Sequence, residues 1–262
     1  MNLDYTTLLV VAAAVSGALV LLDHFTTAQA GAGGALHQGP GARLMQQVYA
    51  YARTLFPVIL IVLLIRSFLF EPFRIPSGSM MPGLVDGDFI LVDKYSYGLR
   101  LPLLHTKILS VGEPQRGDVI VFREPTDPSI DLIKRLVGLP GDHVVVRDNR
   151  VFINGMEMPL RPDGKYPGDF GFTGSPLALE YFGTRSHVVM FAPDRWVTDF
   201  EGTVPPAHYF FMGDNRNDSE DSRFPEVGFV PAANLIGPAR WIWFNWHLPG
   251  WPNFARIGMR IR

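Results

Sequence analysis

Residues 55–93 read LFPVILIVLLIRSFLFEPFRIPSGSMMPGLVDGDFILVD, and the character of the chain changes within them. From Leu55 to Phe70 hydrophobic side chains cover every face of a helix rather than one stripe. A helix lying half-buried on a soluble core is therefore disfavoured, and with its flanks the segment is long enough to span a bilayer. Arg66 near its end can snorkel to an interface. Pro72, Pro76 and Pro82 then stop any helix, and the texture beyond is of short β-like runs: DFILV, DVIVF, HVVVRDNRVFI, HVVMF, HYFFM and WIWFNW. Each is bounded by Gly, Pro, Asp or Asn, and Asn154-Gly155 between VFI and MEM is a strong two-residue hairpin signal. Residues 73–262 thus read as a mainly β domain. Residues 160–205, rich in Gly and Pro and weak in periodicity, read as a loop-rich insertion between strands.

Working outward toward the N-terminus, Tyr5 to Leu22 carries no charge, and a helix of roughly 18 residues nearly spans a hydrocarbon core about 30 Å thick. A cleavable leader would need a basic segment before it, and MNLD has none. The division predicted is a first transmembrane helix in residues 1–22, a cytoplasmic loop over 23–53, a second transmembrane helix over 54–72 and an extracytoplasmic β domain over 73–262. Residues 24–42, rich in Gly and Ala, read as a linker. The loop carries Arg43 and Arg53 whereas the N-terminal tail has neither Lys nor Arg, so it is the loop that should face the cytoplasm.

The 262 residues are 47% hydrophobic and 18% charged, with a formal charge of -2. With no run of Lys or Arg, nothing electrostatic recommends a nucleic acid partner. The absence of cysteine excludes disulfides, thiolate metal sites and a cysteine nucleophile. Covalent chemistry must use oxygen or nitrogen.

The oxygen candidates are Ser77 and Ser79, expected on an exposed turn bracketed by prolines. Even a fully extended connection from Phe70, at about 3.5 Å per residue, keeps Ser79 within roughly 30 Å of the membrane edge. Serines in such a turn also serve simply to satisfy backbone groups. A serine nucleophile needs a base. The seven histidines are scattered, and none stands beside a serine or carboxylate motif that nominates a triad. Lysine can serve only if its pKa falls from about 10.4 toward neutrality, which requires an apolar seat. DLIKRLVGLPGD, residues 131–142, offers one: along a strand Leu132, Lys134 and Leu136 share a face and Ile133, Arg135 and Val137 the other. A lysine at a strand edge that merely snorkels remains the alternative. A third cluster, GDNRNDSEDSR from Gly213 to Arg223, fails the EF-hand pattern, since no glycine occupies its sixth place and Pro225 its twelfth. A solvated turn remains open for it.

Together these stretches resemble the bacterial type I signal peptidases. The family's motifs occur in order: PSGSMMP at 76–82, GDFILVDKYSYG at 87–98, RGDVIVFREP and DLIKRLVGLPGD within 116–142, and GDNRNDSEDSR at 213–223. The resemblance implies a β catalytic domain anchored by two N-terminal transmembrane helices in the bacterial cytoplasmic membrane, facing the periplasm. It implies a serine endopeptidase that removes N-terminal signal peptides from exported preproteins, with no cofactor and no metal. It makes Ser79 the nucleophile and Lys134 the general base, with the Ser77 hydroxyl and the Ser79 backbone N–H as oxyanion donors. Ser219 would orient Lys134; Asp221, Arg135 and Arg223 would support the site electrostatically; Gly213 would allow close packing. Ile75, Met80, Leu84 and Ile133 resemble residues lining shallow pockets for small substrate side chains. Gly83 departs from the family, where threonine is common, and puts the rigidity of the loop in question. A self-cleaving repressor-type protease shares a Ser/Lys pair but would carry a DNA-binding domain where this chain has apolar helices. An inactive binding module of the same fold is opposed by the joint presence of Ser79, Lys134 and Ser219.

Overall fold

The computed structural model describes residues 5–30, 40–100, 107–109, 111–168, 171–192, 197–247 and 249–262. The chain divides into two units, Met1–Phe70 with Gly98–Ser110, and Glu71–Tyr97 with Val111–Arg262.

In the first unit, α1 (Tyr5–Ala30) and α2 (Pro40–Leu64) are followed by a π-helical turn, Ile65–Leu69. Stretches Thr7–Thr27 and Arg43–Leu69 are long and apolar enough to cross a bilayer. Leu8, Val11, Val15 and Leu21 of α1 and Val58, Ile61 and Leu64 of α2 are exposed, the surface that a lipid environment covers. The helices pack closely at Gly17, where a Cβ would lie 2.9 Å from the Phe56 ring, and Arg53 of α2 ion-pairs with buried Asp23 of α1. Both helices run beyond the apolar windows read in the sequence. Of the segment expected as a linker, residues 24–30 and 40–42 are helical and 31–39 lie outside the described residues, and Arg43 and Arg53 sit on α2 rather than in a loop. Hydropathy marks what lipid can cover, whereas Ala, Gln, Leu and Met sustain a helix past that point and Pro40 suits its first position. Two short strands, β3 (Leu99–Arg100) and β4 (Lys107–Leu109), pair in this unit.

The second unit is built on a seven-stranded sheet in the order β1, β2, β16, β5, β6, β14, β15. Here β1 is Phe70–Arg74, β2 Asp88–Asp93, β5 Val119–Arg123, β6 Asp131–Gly138, β14 His208–Met212, β15 Val230–Pro231 and β16 Leu235–Asn245. The strands β7 (His143–Arg147), β8 (Arg150–Ile153), β9 (Met156–Glu157) and β13 (Phe200–Thr203) make a four-stranded sheet. A three-stranded sheet holds β10 (Leu160–Lys165), β11 (Pro176–Phe182) and β12 (Arg185–Met190). Asn154 and Gly155 both have positive φ, 52° and 81°, and turn β8 into β9 as their sequence requires. The run HVVVRDNRVFI is two strands rather than one, because Asp148 and Asn149 also take positive φ and Arg147 pairs with Arg150 across them.

Alternation along β6 divides its residues as the period of two demands. Ile133 joins a cluster with Ile75, Met80, Leu84, Val119 and Val121, while Leu136 joins Ile120, Phe122 and Phe211, with Leu132 packed against them. Residues 160–205, expected to be loop-rich, instead hold four strands among the described residues, β10 to β13. The physical reason lies in β11 and β12: at inward positions where an apolar residue would have announced the alternation they carry Glu180 and His187, both buried.

Candidate active site

The loop from Ile75 to Asp88 is closed by its own main chain. Ile75 N–H donates to Asp88 O at 2.8 Å and Gly87 N–H to Ile75 O at 3.0 Å, while Met81 N–H bonds Gly78 O and Leu84 N–H bonds Met80 O. Gly83, the departure noted above, is fastened by Arg256 Nη2, which donates to its carbonyl at 2.9 Å. The loop presents Ser79, 8% exposed, toward β6. There Lys134 Nζ lies 2.8 Å from Ser79 Oγ, hydrogen-bond distance, with both side chains buried. Burial drives the Lys134 pKa down to about 8; the Asp221, Glu220 and Asp214 carboxylates oppose the shift and Arg223 assists it.

Around this pair the structure gathers other residues named from the sequence. Gly213 lies against Ser219 and the nucleophile loop: a Cβ there would fall 2.2 Å from Ser219 Oγ and 2.6 Å from Ser79 O, so no side chain fits. Gly213 N–H donates to Asp221 Oδ2 at 2.9 Å. Arg223 grips the same carboxylate with Nε at 2.8 Å and Nη2 at 2.9 Å. Burial alone would raise the Asp221 carboxyl, but the Arg223 guanidinium and the Gly213 N–H hold it below its ordinary range. Arg135, on the face of β6 opposite to Lys134, bonds Asp214 through Nε and Nη2 at 2.7 and 2.6 Å.

Other expected residues are placed differently. Ser219 Oγ is buried and makes no hydrogen bond among the described residues, so the expected bond to Lys134 is not formed here. Ser77 is exposed and its Oγ reaches Ser79 Oγ only at 3.4 Å, long for hydroxyls. The Ser79 backbone N–H makes no hydrogen bond among the described residues. Ile75, Met80, Leu84 and Ile133 pack in one cluster. Met80 and Leu84 also line a cavity of about 530 Å³ together with Val119, Leu179, Val188 and Ile242; Ile75 and Ile133 are not on its wall.

The sequence reading missed Asp214, Asn215 and Arg216. Asn215 N–H donates to Ser79 O and its Nδ2 to Gly78 O, both at 3.1 Å. It therefore holds the nucleophile's main chain directly. Its only signal in the sequence is its place inside the GDN turn.

A buried serine and lysine in contact, with a depressed lysine pKa, is the equipment of a hydrolase working through an acyl-enzyme. A sequence model of the family described as signal peptidase, peptidase S26, matches residues 48–246. The chain belongs to the signal peptidase family. Signal peptidase I of Pseudomonas fluorescens is 43% identical to it, with 99% of each chain covered. Signal peptidase I of Pseudomonas aeruginosa is 42% identical over the same shares. A crystal structure of a signal peptidase I from Enterococcus faecalis is 31% identical, covering 49% of this chain and 98% of that one, with a TM-score of 0.31. Within the family, this member is a peptidase whose β domain follows two apolar helices suited to anchoring it in a membrane.

Proposed function

We propose that this signal peptidase cleaves preproteins by a Ser79/Lys134 dyad on the periplasmic face of the bacterial inner membrane. Neutral Lys134 takes the Ser79 hydroxyl proton as Oγ attacks the scissile carbonyl. The Ser79 N–H and the Ser77 hydroxyl, after a small rotation toward substrate, stabilise the oxyanion. The lysine returns the proton to the leaving amine, and water, deprotonated in turn by Lys134, releases the acyl group. The observation that carries this reading is the 2.8 Å approach of Nζ to Oγ in a buried setting. The substrate's extended segment adds to a free strand edge, with small side chains seated against Ile75, Met80, Leu84 and Ile133. Anchoring in the bilayer keeps the site where the substrate's own apolar helix ends and so raises effective concentration.

The pH profile tests the dyad. Since only the neutral amine accepts a proton and the Lys134 pKa is lowered to about 8, kcat/KM is expected to rise with pH through about 8 and then level. Initial rates on a purified preprotein in detergent, buffered from about pH 6 to pH 10, check it. A flat profile, or one still climbing tenfold per unit near pH 10, counts against Lys134 as base.

The side of the membrane has a separate test. Protease added to intact spheroplasts is expected to digest residues 71–262 and to spare the connection between α1 and α2. Protection of the β domain would reverse the topology, and with it access to exported substrates.

A further inference from the structure

Beneath the GDN turn lies a set of buried charges that the dyad does not use. Glu180 of β11 and His187 of β12 face each other in register. Arg216, from the turn after β14, bonds Glu180 with both prongs of its guanidinium, Nη1 at 2.9 Å to Oε1 and Nη2 to Oε2. His187 Nε2 lies 3.1 Å from Glu180 Oε2 and 3.9 Å from Asp214 Oδ1, close enough to act on both carboxylates electrostatically but without hydrogen-bond geometry to either. Glu180 and Arg216 are 0% and 1% exposed. Burial would raise the Glu180 carboxyl, yet Arg216 and His187 hold its pKa at about 2, so the pair stays charged.

A fully buried ion pair is weak evidence for stability, because desolvating both ions opposes their attraction. Its geometry points elsewhere. The Arg216 N–H donates to Met190 O at 2.9 Å and the Met190 N–H to Asp214 O at 2.8 Å, so the turn is threaded onto the end of β12. The residue between Asp214 and Arg216 is Asn215, whose N–H and Nδ2 hold the carbonyls of Ser79 and Gly78. Phe172, from the same insertion, would be 3.4 Å from a Cβ at Gly78 and so also lies against the nucleophile loop.

We propose that Glu180, His187 and Arg216 are positioning residues for proteolysis: the two-pronged Glu180–Arg216 bond, backed by His187, orients the GDN turn, which in turn sets Ser79 Oγ against Lys134 Nζ. The three-stranded insertion is thereby part of the catalytic apparatus. This rests on the dyad reading. A misplacement of about 1 Å in such a pair costs about 10²-fold in rate, and for Glu180 and Arg216 it falls on kcat because neither lines the cavity that Met80 and Leu84 share, although His187 and Asp214 do.

The test uses the full-length enzyme in detergent with a purified preprotein. Glu180→Gln and Arg216→Lys, which retain size or charge but not the two-pronged ionic bond, are expected to lower kcat about 10- to 100-fold with KM little changed. Either could unfold by stranding a buried charge, so the deciding variant is the double Glu180→Leu/Arg216→Met, which removes both charges. It is expected to keep a thermal midpoint near wild type and to show the same loss in kcat. A folded double variant with wild-type kcat, a loss confined to KM, or full rescue by Arg216→Lys overturns the proposal. So does a double variant that fails to fold, since the pair would then be a stability element. Ser79→Ala decides the dyad independently of all these outcomes.

Discussion

Ser79→Ala is expected to give a folded, membrane-inserted protein that leaves preprotein uncut. The side chain contributes a hydrogen-bond contact to Lys134 at 2.8 Å and a long one to Ser77 Oγ at 3.4 Å, together worth about 1 kcal/mol to stability. In a domain of nearly two hundred residues that lowers the melting temperature by only about 2–4 °C. What fixes the loop is its main chain, including the Asn215 N–H on Ser79 O, and alanine leaves those bonds in place. The chemistry has no such reserve. Without Oγ no acyl-enzyme forms, and loss of a serine nucleophile elsewhere costs on the order of 10⁶-fold in kcat. Thermal unfolding monitored beside signal-peptide removal separates the two effects. Wild-type cleavage by the alanine variant would sink the assignment of the nucleophile.

Much of this arrangement was legible because each reading rested on one local rule. The period of two along 131–138 put Lys134 and Arg135 on opposite faces, and they reach Ser79 and Asp214 respectively. The turn bracketed by prolines put Ser79 on a loop, though buried against β6 rather than exposed as expected, and Asn154-Gly155 announced its hairpin. What stayed hidden depends on partners distant in sequence. Glu180 and His187 resemble solvated polar residues until Arg216, 36 positions beyond Glu180, is found against them. Their presence at inward positions also disguised the β10–β12 sheet as loop. Helix ends were misjudged for a different reason: hydropathy reports the thickness of a membrane, not where backbone hydrogen bonding stops. Ser219 shows the limit of carrying a role over from a resemblance. It stands beside Gly213 as the packing argument requires, but its hydroxyl is not bonded to Lys134.

Lys134→Arg is expected to be as inactive as Lys134→Ala, and the comparison separates basicity from charge. A general base must be able to lose its proton. At pH 7 an amine with a pKa of about 8 is neutral about one time in ten, whereas an unperturbed lysine would be neutral roughly one time in three thousand. The buried seat on the strand face it shares with Leu132 and Leu136, opposite Ile120, thus raises the competent fraction by about two orders of magnitude. Guanidinium, with a pKa above about 12, gains nothing usable from the same burial. Were Lys134 instead a structural cation facing Asp221 and Glu220, arginine would keep the charge and much of the activity. The measurement is preprotein cleavage at pH 7 and at pH 9 by both variants, with circular dichroism and thermal unfolding to establish that each is folded. A fall of more than about 10³-fold in both is the expected result. Robust cleavage by a folded arginine variant at pH 7 would remove Lys134 from the proton transfer, and the 2.8 Å contact with Ser79 Oγ would then be one of packing alone.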